Sequence, residues 1–287
     1  MRHRFPFPFL LVMLALLALA CLAQAPRAGK APARQKKADN LKHLLVIGDS
    51  EGWTHESISH AMVTLGKIGT ESGLFDVTLR TDVHLITKKP ISPPVRSGKN
   101  LDYFDAILFY TTGELPLDDS QKADFLSFVR DDGKGFLGTH SATDTLYQWP
   151  AYGELIGAYF DHHPWHQEVR INVEDRGFPA TRHFPTSFTI NDEIYQFRNF
   201  SRDRVRVLMS LDTSSVDLTN EKVHRRDKDF AVAWARTYGK GRVFYCSLGH
   251  ENAVWDRPDM QKMWLEAIRW ATGLTPGDAT PRPKPGD

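Results

Sequence analysis

Three histidines come at or shortly after the ends of apolar runs in the sequence. They are His55 in GDSEGWTHES, His140 in GTHSATDT and His250 in YCSLGHEN. Histidine exchanges protons near neutral pH and is a common metal ligand. One such histidine alone is more often a structural residue. If the runs are parallel strands, however, their carboxyl ends meet at one edge of the sheet. We therefore predict that the three side chains converge on one site.

Carboxylates near these histidines are candidates for orienting an imidazole or for acting as a base. Asp144 closely follows the turn at His140, and Glu251 is adjacent to His250. Most acidic residues are merely solvated, but Asp192 and Glu193 form a charged pair inside an otherwise alternating strand. Asp144 or Glu251 is therefore a candidate to orient an imidazole or to act as a base, and the pair at Asp192 and Glu193 is a further candidate.

A metal is left open as a cofactor. The sequence has no HExxH or CxxC spacing, so distant loops would have to assemble a site for a divalent metal. The segment DHHPWHQE, residues 161–168, holds His162, His163 and His166. It either adds one histidine to the same cleft or forms a polar turn before a strand.

Aromatic side chains cluster after the turn at His140. Such rings stack on the apolar faces of sugars, although an aromatic stripe is more often part of the core. The cluster comprises Tyr147, Trp149, Tyr152, Tyr159, Phe160 and Trp165. Cys246 lies within a predicted strand, and we expect it to serve packing, since nothing nearby would lower the pKa of its thiol.

Short apolar runs alternate with helical periodicity in the first half of the chain. This order predicts an α/β fold with a doubly wound parallel sheet. Predicted strands cover residues 41–49, 75–82, 104–112 and 134–140, and predicted helices cover 58–68 and 118–130. The second half is richer in strands, predicted at 168–175, 187–197, 204–212 and, as two joined at Gly239, 230–250; a last helix is predicted at 260–272.

Composition places the chain among ordinary globular proteins. It has 287 residues, 41% hydrophobic and 25% charged, with a formal net charge of +1. That balance gives no reason to expect nucleic acid as a partner. With only two cysteines, Cys21 and Cys246, and the first in or beside an export signal, an internal disulfide framework is excluded.

The amino terminus has the features of an export signal. Arg2 and Arg4 precede an apolar run at residues 9–23, which is too short to span a bilayer comfortably. We predict a signal peptide at 1–25, a flexible spacer at 26–40, one domain at 41–273 and a disordered tail at 274–287. The expected location is periplasmic or extracellular. The alternative is a lipoprotein acylated at Cys21, which would be the only membrane contact.

Several longer motifs resemble the ThuA-like (trehalose utilisation) family. They are GWTHESI, GKGFLGTHSATDTLYQWPAYGELIGAYF, HHPWHQ, NDEIYQF, DRVRVLMSLD and YGKGRVFYCSLGHEN, and the likeness covers about residues 41–273. The resemblance implies the fold of class I glutamine amidotransferases, a flavodoxin-like three-layer sandwich. We therefore expect a mostly parallel sheet with a β-rich extension in the second half.

The resemblance to amidotransferases does not extend to their chemistry. Their elbow has the pattern Gly-x-Cys-x-Gly, whereas this chain has His140 at the corresponding position. Without a thiol nucleophile, glutamine hydrolysis through a thioester is not available. The protein is therefore not expected to be a glutamine amidotransferase.

The family resemblance implies work on sugars, with a sugar or an oxidised glycoside as the partner. Relatives are associated with cleavage of 3-keto-glycosides, such as 3-keto-trehalose, by a hydrolase or lyase reaction. On this hypothesis His140 and His250, with His55, supply a base and an electrophile, while Glu193 or Asp144 orients or protonates. Tyr147, Trp149, Tyr152 and His163 lie in the matching segments and would line the sugar pocket. The alternatives are a non-catalytic sugar-binding or regulatory protein and a metal-dependent hydrolase of another substrate.

Overall fold

The computed structural model of the protein describes residues 41–91 and 98–284. The strands are β1 Lys42–Ile47, β2 Phe75–Arg80, β3 Ala106–Phe109, β4 Gly135–Thr139, β5 Tyr159–Val173, β6 Ser187–Arg198, β7 Arg206–Leu211, β8 Ala231–Tyr238 and β9 Gly241–Cys246. The helices are α1 Ser57–Ser72, α2 Asp119–Arg130, α3 Pro150–Ile156, α4 Asn252–Asp256 and α5 Pro258–Ala271. The predicted signal, the spacer and Cys21 lie outside the described residues.

The nine strands of the described chain form one sheet in the order β2-β1-β3-β4-β9-β8-β7-β5-β6. From β2 to β9 every pairing is parallel, and from β9 to β6 every pairing is antiparallel. The sheet is therefore mixed, and the prediction of a mostly parallel sheet needs correction. The reason is that the β-rich second half joins the same sheet through β9 rather than forming a small addition to it.

Both faces of the sheet are covered by apolar side chains, as the continuous apolar runs of the central strands require. In β1, Leu44 and Val46 belong to one buried cluster, which also includes side chains of α1 and α5. Leu45 and Ile47 point the other way, into a cluster with side chains of α2 and α3. The alternation along β1 thus gives each face its own core.

Local signals set the ends of the two helices that flank the parallel strands. Helix α1 ends at Gly73, whose φ of +65° is the left-handed conformation that glycine adopts at low cost. Helix α2 begins after Asp118, which accepts a hydrogen bond from the backbone N–H of Gln121, while the Gln121 side chain accepts one from the backbone N–H of Asp118. This capping box satisfies two otherwise free donors. The predicted helix at 118–130 agrees with it.

The carboxyl-terminal segment differs from the predicted disordered tail. Trp270 Nε1 donates to the Gly277 carbonyl at 3.1 Å, Ala279 is buried, and Arg206 Nη1 lies 2.8 Å from Asp278 Oδ2. The segment up to residue 284 therefore contains residues that pack on the domain. Proline-rich composition does not exclude order where neighbouring side chains supply partners.

Two further observations bear on the class of protein. Among the described residues, no helix combines the length and apolarity needed to cross a bilayer. Cys246 is a buried free thiol in β9, and burial raises its pKa to about 12. Such a thiol is a packing group rather than a nucleophile.

A partly buried ion-pair network links the residue that follows β5 to the loops before and after β7. Arg202 donates to both oxygens of Glu174, at 2.8 and 2.9 Å, and to both oxygens of Asp229, at 2.7 and 2.8 Å. Although burial alone would raise it, the hydrogen bonds from Arg202 lower the pKa of Asp229. The guanidinium is therefore the shared hydrogen-bond partner of both carboxylates, and it favours the charged form of Asp229.

We predict that Arg202→Met lowers the free energy of unfolding by about 3 kcal/mol, because it leaves two buried carboxylates unpaired. The matched control is Arg170→Met. Arg170 is 52% exposed in its pair with Asp212, so the loss should stay below about 1 kcal/mol. Urea unfolding at pH 7 measures both, and equal losses would contradict the prediction. The Asp229 contribution is present above the ordinary aspartate pKa of about 3.9 and is lost as pH falls through its lowered pKa in the fold.

Candidate functional site

His140 lies at a strained turn directly after β4. Its φ is +44°, in the left-handed region that non-glycine residues rarely adopt, and it begins a short 3-10 turn over His140–Thr143. The side chain is fully buried. Backbone strain of this kind costs about 1–3 kcal/mol and is concentrated at functional sites. The turn therefore matches the elbow that the sequence predicts.

The structure brings the three predicted histidines together. His55 follows β1, His140 follows β4 and His250 follows β9, and these strands run parallel within one part of the sheet. The ring centroids of His55 and His140 are 4.7 Å apart, those of His55 and His250 5.3 Å, and those of His140 and His250 5.2 Å. The shared carboxyl edge of the sheet is what positions them.

The carboxylate of Glu193, from β6, contacts two of these histidines, His140 and His250, and also His163. Its Oε2 lies 3.4 Å from His140 Nε2 and 3.3 Å from His250 Nδ1, while Oε1 lies 3.2 Å from His163 Nδ1. Burial acts to raise the pKa of Glu193, but hydrogen bonding to His140 and His250 holds it well below its usual range. In turn, the hydrogen bond to Glu193 raises the pKa of His250. The carboxylate is therefore ionised.

The surroundings of His140 fix its orientation and its tautomer. Its Nδ1 lies 2.7 Å from the Ser247 carbonyl, so Nδ1 carries a proton and donates it. The Tyr195 hydroxyl lies 2.9 Å from Nε2. In the neutral ring Nε2 holds the lone pair, and this lone pair points into the cluster.

Of the three histidines, His55 is the one least held by hydrogen bonds. It is 6% exposed, and its Nδ1 has no hydrogen-bond partner in the described part of the chain. Burial, followed by the neighbouring His140 and His250, lowers its pKa to about 3. The ring is therefore neutral at physiological pH.

Asp192 holds the loop that carries His250. The buried carboxylate accepts hydrogen bonds from the backbone N–H of Gly249 at 2.7 Å and of Glu251 at 3.1 Å. On the other side of the loop the Gly249 carbonyl lies 2.9 Å from the Tyr110 hydroxyl and 3.0 Å from Trp255 Nε1. The position of the His250 backbone is thus fixed from two directions.

A cleft of about 350 Å³ opens above the cluster. Its lining combines imidazoles, carboxylates and aromatic rings, a mixture suited to a polar ligand with apolar faces. The lining residues are Trp53, His55, Asp144, Phe160, His163, Glu193, Tyr195 and His250. Of these, Trp53 is 72% exposed and lies at the rim.

Asp144 and His163 are the titratable residues of the cleft outside the central cluster. Burial raises the pKa of Asp144, and the Tyr147 hydroxyl donates to its Oδ1 at 2.5 Å. Burial lowers the pKa of His163, which is held by Glu193. Tyr147 thus acts on the cleft through Asp144.

Two of the aromatic residues predicted to bind a sugar lie elsewhere. Tyr152 is fully buried and donates to the Ala142 carbonyl at 2.6 Å. The Trp149 ring packs on Tyr152, with centroids 6.2 Å apart, and on the core of the α2 and α3 face. Neither lines the cleft, because α3 turns its first residues toward that core. The core interpretation is the correct one for both.

Sequence reasoning missed two aromatic residues of the cleft. Tyr195 is two residues after Glu193 in β6, and side chains two apart in a strand share a face. That spacing would have identified it once Glu193 was placed. Trp53 lies in a loop and has no such signal. The segment 161–168, for which a turn was one interpretation, forms part of β5, with irregular pairing between Phe160 and Trp165.

Comparison with known proteins places the fold. The family model described as ThuA, trehalose utilisation, matches residues 43–271. No curated protein matches the chain. A solved ThuA-like protein from Bacteroides uniformis is 23% identical, with a TM-score of 0.63, covering 84% of this chain and 95% of its own. Another from Parabacteroides merdae is 17% identical, with a TM-score of 0.60, covering 81% and 90%. At these identities the structures support the fold alone.

We predict that Gly249→Ala destabilises the protein by about 1–3 kcal/mol, because the backbone there has a φ of +135° that L-residues rarely adopt. A Cβ would also lie 3.1 Å from Trp255 Nε1. Gly66→Ala in α1 is the control. It meets nothing within 4 Å, so it should be neutral or stabilising by up to about 1 kcal/mol. Thermal unfolding compares the two, and a Gly249→Ala protein as stable as wild type would refute the prediction.

Proposed function

The chain belongs to the ThuA (trehalose utilisation) family, and we propose that it is a carbohydrate-active enzyme that cleaves 3-keto-glycosides such as 3-keto-trehalose. One observation supports this proposal most. The cleft joins a cluster of histidines around the Glu193 carboxylate to two further titratable groups, Asp144 and His163, beside aromatic rings. Proton transfer at two positions around a polarised oxygen is what such a cleavage needs.

The proposed reaction begins at the carbon next to the ketone. The C3 carbonyl acidifies the C2 proton, and a base removes that proton to form an enolate. The enolate electron pair expels the C1 substituent as the C1–O bond breaks, and an acid protonates the leaving oxygen. Water then adds at C1 and a proton returns to C2, so elimination followed by hydration gives net hydrolysis.

We assign the base to His163 on geometric grounds. Its Nδ1 faces Glu193 Oε1 at 3.2 Å, so that in the neutral ring Nδ1 donates and Nε2 keeps the lone pair. A carboxylate that orients an imidazole in this way is the arrangement of many catalytic bases. His163 is also partly exposed and lines the cleft, whereas His140 is enclosed.

Asp144 is the proposed acid for the leaving oxygen. Its half-buried carboxyl group lines the cleft and is held by Tyr147. Burial favours the protonated form of a carboxyl group, which is the form that can donate. His140, His250 and His55 with Glu193 then form the floor, where the His250 imidazole, whose pKa is raised by its hydrogen bond to Glu193, would stabilise the developing enolate oxygen by donating a hydrogen bond.

The rest of the proposal concerns the sugar and the place of action. Phe160, Tyr195 and Trp53 offer ring faces for stacking on a pyranose. Helices on both faces of the parallel strands favour the flavodoxin-like three-layer arrangement. The apolar run at residues 9–23 favours export, with lipidation at Cys21 as the alternative, so that the substrate would be met outside the cytoplasm.

Incubating the purified protein with a panel of 3-keto-glucosides, and following release of the aglycone, tests the function. We expect Asp144→Asn and His163→Gln each to lower the turnover rate by about 10²- to 10⁴-fold, the usual contribution of a positioned acid or base. His60→Gln and Asp256→Asn change the same residue types at an exposed pair outside the cleft and should stay within about twofold of wild type.

No aglycone release by the wild-type protein from any member of the panel would overturn the enzymatic proposal. If a 3-keto-glucoside bound in the cleft without turnover, the sugar-binding alternative would replace it. Full activity of both cleft variants would instead show that the assigned acid and base are wrong.

A further inference from the structure

Four side chains at the floor of the cleft have the composition of a transition-metal site. One ring nitrogen each from His55, His140 and His250 and one oxygen of Glu193 all lie within 4.8 Å of one another. Imidazole nitrogens with a carboxylate form the ligand set of many Zn²⁺ and related sites. The residues come from the ends of β1, β4 and β9 and from β6. Because these elements are far apart in the sequence, no short spacing motif identifies the site.

The separations between these atoms agree with ligands around one ion. Metal–ligand bonds of about 2.0–2.1 Å place neighbouring ligands of a tetrahedron about 3.3 Å apart. His140 Nε2 and His250 Nδ1 are 3.2 Å apart, and Glu193 Oε2 lies 3.4 Å from the first and 3.3 Å from the second. The three atoms thus form a nearly equilateral triangle of the required size.

The hydrogen bonding around the triangle also favours a cation. His140 donates its Nδ1 proton to the Ser247 carbonyl, so in the neutral ring the Nε2 lone pair points toward Glu193 Oε2 and His250 Nδ1. A cation among these three atoms would be bound by all of them at once. Metal-binding histidines almost always donate their other N–H to a carbonyl or carboxylate, as His140 does here.

His55 supplies an independent observation. It is buried, and its Nδ1 has no hydrogen-bond partner among the residues that the structure describes. A buried ring nitrogen without a partner costs about 1–3 kcal/mol.

We infer that His55, His140, Glu193 and His250 bind one divalent transition-metal ion of the zinc class at the floor of the cleft. The ion would place a fixed positive charge where the cleft receives an oxygen of its ligand. The inference deepens the proposed function, because such an ion acts as a Lewis acid on a ketone oxygen. It does not depend on that function, since metal binding is measurable without any substrate.

The test measures metal binding by the full chain. The purified protein is stripped with a chelator and titrated with Co²⁺, which reports its coordination by visible absorption, and then with Zn²⁺ in competition. We expect about one equivalent of Co²⁺ with a spectrum of nitrogen and oxygen ligation, its displacement by Zn²⁺, and a rise in Tm with either metal. Absence of stoichiometric binding of both metals would overturn the inference.

Variants locate the ion. We expect Glu193→Gln and His140→Ala each to weaken Co²⁺ binding by at least about 100-fold. His166→Ala is the matched control, because His166 lies next to His250 but belongs to a second, more exposed group with Glu251. It should leave Co²⁺ affinity within about threefold of wild type. Loss of binding in His166→Ala with retention in Glu193→Gln would assign the ion to the exposed group and overturn the inference.

A fourth variant probes the role of Nε2 directly. The Tyr195 hydroxyl lies 2.9 Å from His140 Nε2 and competes with an ion for its lone pair. Tyr195→Phe should therefore keep or raise Co²⁺ affinity, and a tenfold loss would contradict ligation through Nε2. Metal bound as expected by a protein that releases no aglycone would defeat the proposed function alone, whereas cleavage by a protein that binds neither Co²⁺ nor Zn²⁺ would defeat the metal site alone.

Discussion

The buried carboxylate of Glu193 is the constraint on which the site depends. An ionised carboxylate loses several kcal/mol of hydration when it is buried and must regain it from partners. Here the partners are His140, His163 and His250, which come from three different segments of the chain. The charge therefore forces the strand end at β4, the loop after β9 and the start of β5 to meet at β6. Moving one of those segments away while Glu193 stays buried would leave its charge without a partner, so the contacts hold the segments together at the cleft.

Asp192 completes this arrangement from the adjacent position in β6. It binds the backbone on either side of His250, while Glu193 contacts the His250 side chain. One pair of neighbouring acidic residues thus fixes both the course of a loop and the orientation of the imidazole that it carries. The antiparallel half of the sheet therefore contributes more than coverage, because it supplies the charges that organise histidines delivered by the parallel half.

Sequence periodicity identified most elements and the convergence of His55, His140 and His250, since the ends of parallel strands must share an edge. The charged pair at Asp192 and Glu193 was recognisable because it interrupts a strand pattern. The direction of strand pairing was not recognisable, because apolar and polar residues alternate in the same way in parallel and antiparallel strands. The mixed sheet was therefore not predicted. Whether Trp149 and Tyr152 line the cleft or the core depends on how α3 packs, and the sequence pattern does not encode that packing. Trp53 lies in a loop, where no periodicity indicates which way a side chain points, so its place at the cleft could not be predicted.

The elbow at His140 shows why the chemistry must differ from that of folds with a nucleophile at the same turn. Strained backbone at such a turn usually presents a side chain to the substrate. Here Nδ1 is bound to Ser247 and Nε2 to the cluster, so both nitrogens are engaged and the ring is enclosed. An imidazole held in this way is poorly placed to transfer protons to a ligand, but it is well placed to keep a charged partner in a fixed position. This geometry favours two separate roles. The residues at the floor of the cleft hold charge in a fixed position, and Asp144 and His163 at its sides transfer protons.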